Sequence, residues 1–199
     1  MPRGFSEKEK QAIRDKLLEK GREFFMTYGV RKTNVEDMTR AAGISKGAFY
    51  AFFSSKEELF LEVIEQFEAE YRAGLYDFPM DRRRSPRQNF RRMLNKALTE
   101  WAVNPLFSKL DRSELSALMR KLPEAKVQAH AHSDDVFVAQ FMDKWKRQGI
   151  KIEGDPVMVS GLMKALFFVS LHKDDFGQGA YPQTMEVLID LVAAYLVEE

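Results

Sequence analysis

Within residues 33 to 56 a small set of hydrogen-bonding and charged side chains is spaced for contact with a polyanion rather than for bond-making chemistry. Lys46 and Tyr50 lie four apart, one helical turn, on a segment that Ser45 can cap. Gly47 and Ala48 in its first turn carry little or no side chain, so backbone could come close to a partner surface. An exposed helix N-terminus, a lysine ammonium and a tyrosine hydroxyl together suit phosphate oxygens. The charge distribution agrees. The net charge of the 199 residues is only +1, yet residues 1 to 56 hold 12 basic and 7 acidic side chains, which leaves 19 and 23 for the rest. The positive field therefore lies where those donors are.

Other chemistries are excluded or weakly supported. With no cysteine there is no disulfide framework, thiolate nucleophile or cysteine-held metal. The chain carries no Gly-x-Ser-x-Gly elbow, no phosphate-binding Gly-x-x-x-x-Gly-Lys run and no His-Glu-x-x-His, so neither an enzyme nor a cofactor is expected. His130 and His132, beside Asp134 and Asp135, are two apart and would point to different faces of a helix. They read as a solvated turn, and no metal site is expected. His172 with Asp174 and Asp175 reads as a polar connector, and the arginines at 82, 83, 84, 87, 91 and 92 as a solvated face. The N-terminus has no apolar leader, and the longest apolar stretch, around 165 to 171, is far short of a membrane span. The expectation is a cytoplasmic protein without a membrane partner.

The elements that must position these residues are helical. Ile13, Leu17, Phe24 and Tyr28 form a stripe over residues 7 to 28, ending at Gly29. Asn34 can cap a short helix with Asp37 as a variant capping box; Val35, Met38 and Ala42 form its buried side, Gly43 permits a turn, and Ile44 plugs it from inside. Phe49 and Phe53 point from the next helix to the core. Lys56-Glu57-Glu58 then opens a long helix with Phe60, Val63, Ile64, Phe67 and Tyr71 on one face. Further helices are expected at 88–103, 106–121 and 124–148, punctuated by Pro105, Pro123 and Gly149, and no convincing strand is found. The fold class is all-α. It divides into a three-helix helix-turn-helix domain, 1–56, and a larger helical domain, 57–199.

Two final segments are apolar on more than one face. Met158, Leu162, Ala165 and Leu166 share a stripe beside Val159, Met163 and Phe167; Met185, Leu188 and Val192 face away from Val187, Leu191 and Ala194. Helices covered on most sides imply either a dimer, two helices from each subunit forming a four-helix bundle, or a central place in a monomer core. Met158, Leu162, Leu166, Met185, Leu188 and Val192 are the candidate dimerisation residues. The middle of the chain is rich in aromatics and thioethers, with Phe67, Tyr71, Trp101, Phe107, Met119, Phe141, Trp145 and Phe167 as candidate ligand contacts. Such residues suit a repackable cavity for a flat or hydrophobic ligand, and suit a plain core as well.

The unbroken string from Thr33 to Phe60 gives these readings a kinship. Its helix-turn-helix followed by Phe-Tyr-x-x-Phe-x-x-Lys-Glu-x-Leu makes residues 8 to 68 resemble the N-terminal domain of the TetR family of bacterial transcriptional regulators. The resemblance implies a homodimer that binds double-stranded operator DNA, with a small-molecule effector in the larger domain and dimerisation through the last two helices. It places Thr33, Asn34, Ser45, Lys46, Gly47, Ala48, Tyr50 and Lys56 at the DNA surface. Asn34, Tyr50 and Lys56 would take phosphates, while Lys46 and the Gly47–Ala48 edge would face bases. Phe52 and Ala51 depart from the family pattern, where polar side chains are common. Direct readout would then lean on DNA shape or on an N-terminal arm with Arg3.

Overall fold

The computed structural model describes residues 6–107, 110, 112–177 and 179–198; Arg3 of the expected arm lies outside them. Nine α-helices and one 3-10 turn, and no strand, are found among the described residues. The first is α1, Glu7–Lys32, started by a capping box between Ser6 and Glu9. Gly29 interrupts it at φ 75°, a backbone setting that side-chain-bearing residues avoid. Its inner face is Leu17, Leu18, Gly21 and Phe25, one position round from the expected stripe: Phe24 is half-buried and Tyr28 is 54% exposed. The reason is α4, Lys56–Tyr76, which approaches so closely at Gly21 that a Cβ there would stand 2.9 Å from Leu59 Cδ2.

Between them lie α2, Val35–Ala42, and the five-residue α3, Lys46–Tyr50. Gly43 joins them in the left-handed conformation, and its N–H returns to the Arg40 and Thr39 carbonyls. Met38, Ala42, Phe49 and Phe53 meet Leu17, Phe25, Leu59 and Phe60 in one core. The first half of α4 thus packs with the preceding helices while its second half enters the larger body.

That body comprises α5, Pro86–Val103; α6, Arg112–Lys121; α7, Glu124–Arg147; α8, Pro156–Leu171; and α9, Ala180–Leu196. Here α7 packs on α4 and α8, and α9 on α5 and α8. Where a helix is expected from 106, Leu106 and Phe107 lie in a turn after Asn104 and enter the core beside the head with Leu110, and α6 is described from Arg112. Ile150 and Ile152 are both buried on an extended segment rather than in a sheet, tied to α9 by Glu153 N–H donating to Leu196 O at 2.7 Å. The 3-10 turn Lys173–Phe176 follows α8, with His172 Nδ1 2.8 Å from Asp175 Oδ2. No helix among the described residues is long and apolar enough to cross a membrane.

Candidate nucleic-acid interface and cavity

The head presents α3 outward. Ser45 caps it by accepting from Ala48 N–H at 3.1 Å, and Asn34 caps α2 by accepting from Glu36 N–H at 2.9 Å, rather than through a box with Asp37. Phe49 anchors the helix inward, which turns Lys46 and Tyr50 to solvent; Tyr50 is 51% exposed and stands edge-on to the Phe49 ring. Gly47 is exposed and Ala48 half-buried. Sequence reasoning missed Glu36. From the first turn of α2, where an acidic residue reads as a partner for the helix dipole, it reaches Lys46 Nζ at 2.6 Å, and each holds the other in its charged form.

Two expected DNA-surface residues are placed otherwise. Thr33 is 2% exposed, and its hydroxyl donates to Gly29 O at 2.7 Å, the same carbonyl that accepts the Thr33 backbone N–H at 3.2 Å as α1 ends. Lys56 folds back over the end of α1 and donates to Thr33 O at 2.7 Å and Arg31 O at 3.1 Å. Burial pushes its ammonium below the usual lysine range. The structure makes both residues fasteners of the α1–α2 junction that holds Asn34.

The body encloses a cavity of about 390 Å³, within the range of small-molecule sites. Of the candidate ligand contacts, Tyr71, Trp101, Phe107, Met119, Phe141 and Phe167 line it. Two candidates do not. Phe67 lies behind the wall, stacked on Tyr71 at 5.7 Å, and Trp145 is core, 1% exposed between Phe90 and Phe141.

The cavity also has a polar end that the apolar reading did not anticipate. Glu68 and Arg72 of α4, His130 and Asp134 of α7, and Ser160 and Lys164 of α8 line it. Arg72 donates to Glu68 Oε2 at 3.0 Å, to Ser133 Oγ at 3.0 Å and to Asp134, which Lys164 also approaches at 3.2 Å. The solvated turn expected at His130 is instead helix: His130 is half-buried in the middle of α7, facing α4, while His132 is exposed. Its Nε2 is 3.6 Å from Glu68 Oε1 and its Nδ1 3.7 Å from Glu65 Oε1. Glu65 first, then Glu68 and Asp134, hold the imidazole above its usual range against burial. Burial drives Glu68 up to about 7 although His130 and Arg72 oppose it, and burial likewise raises the Tyr71 phenol. Glu68, His130 and Asp134 are close enough to share a cation, but both Asp134 oxygens already face Arg72 and Lys164.

The dimerisation candidates divide. Leu166 and Met185 are 4% and 6% exposed, buried inside the protomer because α8 and α9 turn those sides to their neighbours; Met158, Leu162, Leu188 and Val192 are half-buried. The open apolar face is the other stripe, Val187, Leu191 and Tyr195 on α9, all above half exposure; Val157 and Phe168 on α8 are exposed as well.

Comparison with known proteins joins these features. Residues 17–63, which span the end of α1 through the start of α4, match the family model for bacterial regulatory proteins of the tetR family. The chain carries a TetR-family N-terminal domain. Over 55 residues it is 40% identical to the HTH-type transcriptional repressor DhaR of Mycobacterium sp. (strain GP1), covering 28% of either chain. Over 73 residues it is 36% identical to the repressor KstR2 of Mycolicibacterium smegmatis, covering 37% of this chain and 35% of that one. The matches thus span about a third of these relatives' length. A TetR-family transcriptional regulator from Pectobacterium atrosepticum shares the fold over 98% of this chain and 99% of its own, with a TM-score of 0.71 at 22% identity. The family and these relatives are transcriptional regulators, not enzymes.

Proposed function

We propose that the chain is a homodimeric TetR-family repressor, acting in the cytoplasm, whose two α3 helices enter successive major grooves of a palindromic operator and which a small effector releases. The observation that carries the reading is α3 itself: a short helix anchored by Phe49, with Lys46 and Tyr50 turned outward, inside the segment that matches the family model. The named roles of DhaR and KstR2 as repressors support the direction of control. Thr33, Asn34, Ser45 and Lys56 would serve by shaping the junction and caps that aim α3, with Gly47 and Ala48 as its close-approach edge. Half-site centres would lie about 34–36 Å apart.

The division of labour would follow the expected one, head 1–56 and body 57–199, with α4 common to both. A dimer is supported by the open face of Val187, Leu191 and Tyr195, since a contiguous exposed apolar patch on a small protein marks an interaction surface. An effector is supported by the cavity, because an effector-free platform would fill its interior with its own side chains. Release requires that the effector bind better to the form whose heads are wrongly spaced. Two routes connect cavity and head. One is α4; the other is α6, where Leu115 and Met119 line the cavity while Glu114 faces Arg31 at 3.8 Å and Lys121 pairs with Glu57 at 2.8 Å.

The test is selection of genomic fragments from the source organism by the purified protein, beside a Lys46→Ala, Tyr50→Ala double variant. An enriched palindrome that the variant loses while its oligomeric state is kept is the expected result. Equal enrichment by both proteins would refute the role of α3.

A further inference from the structure

Most of the charges at the polar end of the cavity are already matched. Arg72 is divided among Glu68, Asp134 and Ser133, and Lys164 between Asp134 at 3.2 Å and Asp135 at 3.6 Å. Glu68 is hydrogen-bonded on one side only. Its Oε2 takes Arg72, while its Oε1 accepts no hydrogen bond among the described residues and faces His130 Nε2 at 3.6 Å, beyond hydrogen-bond reach. The side chain is 8% exposed. Two further lining groups are unsatisfied. His130 Nδ1 and the hydroxyl of Ser160, a residue 1% exposed, are buried and make no hydrogen bond, though Ser160 is near enough to help hold the Asp135 carboxyl below its usual range. Buried polar groups left without partners are costly, and a cavity lined by them is matched by a ligand that supplies what they lack. The remaining walls include Tyr71, Trp101, Phe137 and Phe141, whose ring faces attract positive charge.

We infer that the cavity takes a hydrophobic organic cation, a protonated amine on a flat apolar body, which gives one N–H to Glu68 Oε1 and another to Ser160 while its body lies against the aromatic walls. This inference rests on reading the cavity as the effector site. An anion would have to draw Arg72 or Lys164 away from Asp134 and then stand beside two carboxylates. A metal ion would need Asp134 as a ligand, and both of its oxygens are engaged by cations. A neutral ligand would offer the inner Glu68 oxygen only an uncharged donor. The groups facing Glu68 are Glu65, Tyr71 and Arg72 from its own helix and His130 and Asp134 from α7. Burial keeps the Glu68 carboxyl above the ordinary range although Arg72 and His130 oppose it. The arriving ammonium supplies a charged donor to the Glu68 oxygen that Arg72 does not reach.

The test uses one body with three heads, 4-phenylbenzylamine, 4-phenylbenzyl alcohol and biphenyl-4-carboxylate, titrated calorimetrically into the full-length protein at pH 7. The amine is expected to bind about tenfold or more tightly than either other probe, the increment of a charge-assisted hydrogen bond over a neutral one. Glu68→Gln should remove the preference while keeping the affinity for the alcohol, and Glu68→Asp, which keeps the charge, should retain part of it. Ser160→Ala, which leaves Glu68 in place, should weaken the amine. Equal or tighter binding of the alcohol or the carboxylate, or a preference that survives in Glu68→Gln, overturns the cation inference and leaves the cavity as an effector site. Failure of all three probes to bind overturns the inference together with that reading.

Discussion

Lys56 separates two physical roles that give opposite results in one experiment. As a phosphate ligand it would contribute about one released counterion, and its loss would lower the salt dependence of operator binding by about one unit of slope. The structure instead commits its ammonium to Thr33 O and Arg31 O, which closes the open end of α1 against the start of α4. Lys56→Met keeps the apolar stem and deletes only the donor. Hydrogen bonds from a charged donor contribute about 1.5–3 kcal/mol each, but the ammonium is half-buried and pays for desolvation, so a net loss of about 1–2 kcal/mol is expected. For a chain of this size that lowers Tm by roughly 2–8 °C. The assay is thermal unfolding followed by circular dichroism at one fixed protein concentration, since dimerisation makes Tm concentration-dependent. Operator titrations from 50 to 200 mM salt accompany it. The expected result is a lower Tm, modestly weaker binding because the Asn34 cap is less firmly held, and an unchanged salt slope. A Tm within 1 °C of the parent together with a slope reduced by about one would refute the reasoning.

Two further outcomes follow from the body. Glu68 has a folded-state pKa of about 7 against an ordinary 4.5, so the folded protein binds the extra proton between those values, and its stability falls as pH rises through that window. Urea unfolding at pH 5 and pH 8 should show the parent losing up to about 3 kcal/mol more than Glu68→Gln; a parent that gains on Glu68→Gln with rising pH would contradict the burial argument. On the open face, Leu191 is 61% exposed, and Leu191→Arg should leave each protomer folded while sedimentation shows a monomer. A dimer of undiminished strength would exclude this face from the interface.

The helix-turn-helix was legible because its determinants are local. Ser45 and Asn34 cap the helices they precede, Gly43 supplies a left-handed turn, and Phe49 and Phe53 lie one helical turn apart. Each of these acts within a few residues, so adjacent letters suffice to read it. The same string showed the basic head and the absence of thiol chemistry.

What the sequence left open depends on neighbours distant along the chain. Phe24 and Phe25 are equally apolar, and only the close approach of Leu59 to Gly21 selects the latter for the core. On α8 and α9, apolar on several sides, packing against α5 and α7 decided that Leu166 and Met185 go inward and Leu191 outward. Phe67 and Tyr71 share a helical face, yet only Tyr71 reaches the cavity. The polar end joins Glu68 to His130 and Asp134 across more than sixty residues, and a spacing rule that tests one helix at a time has no means of seeing a cluster built from two. Local composition therefore determined the head and the helical class, while the cavity, its charged end and the free face came from which helix surfaces met, a choice set by the packing of the whole chain.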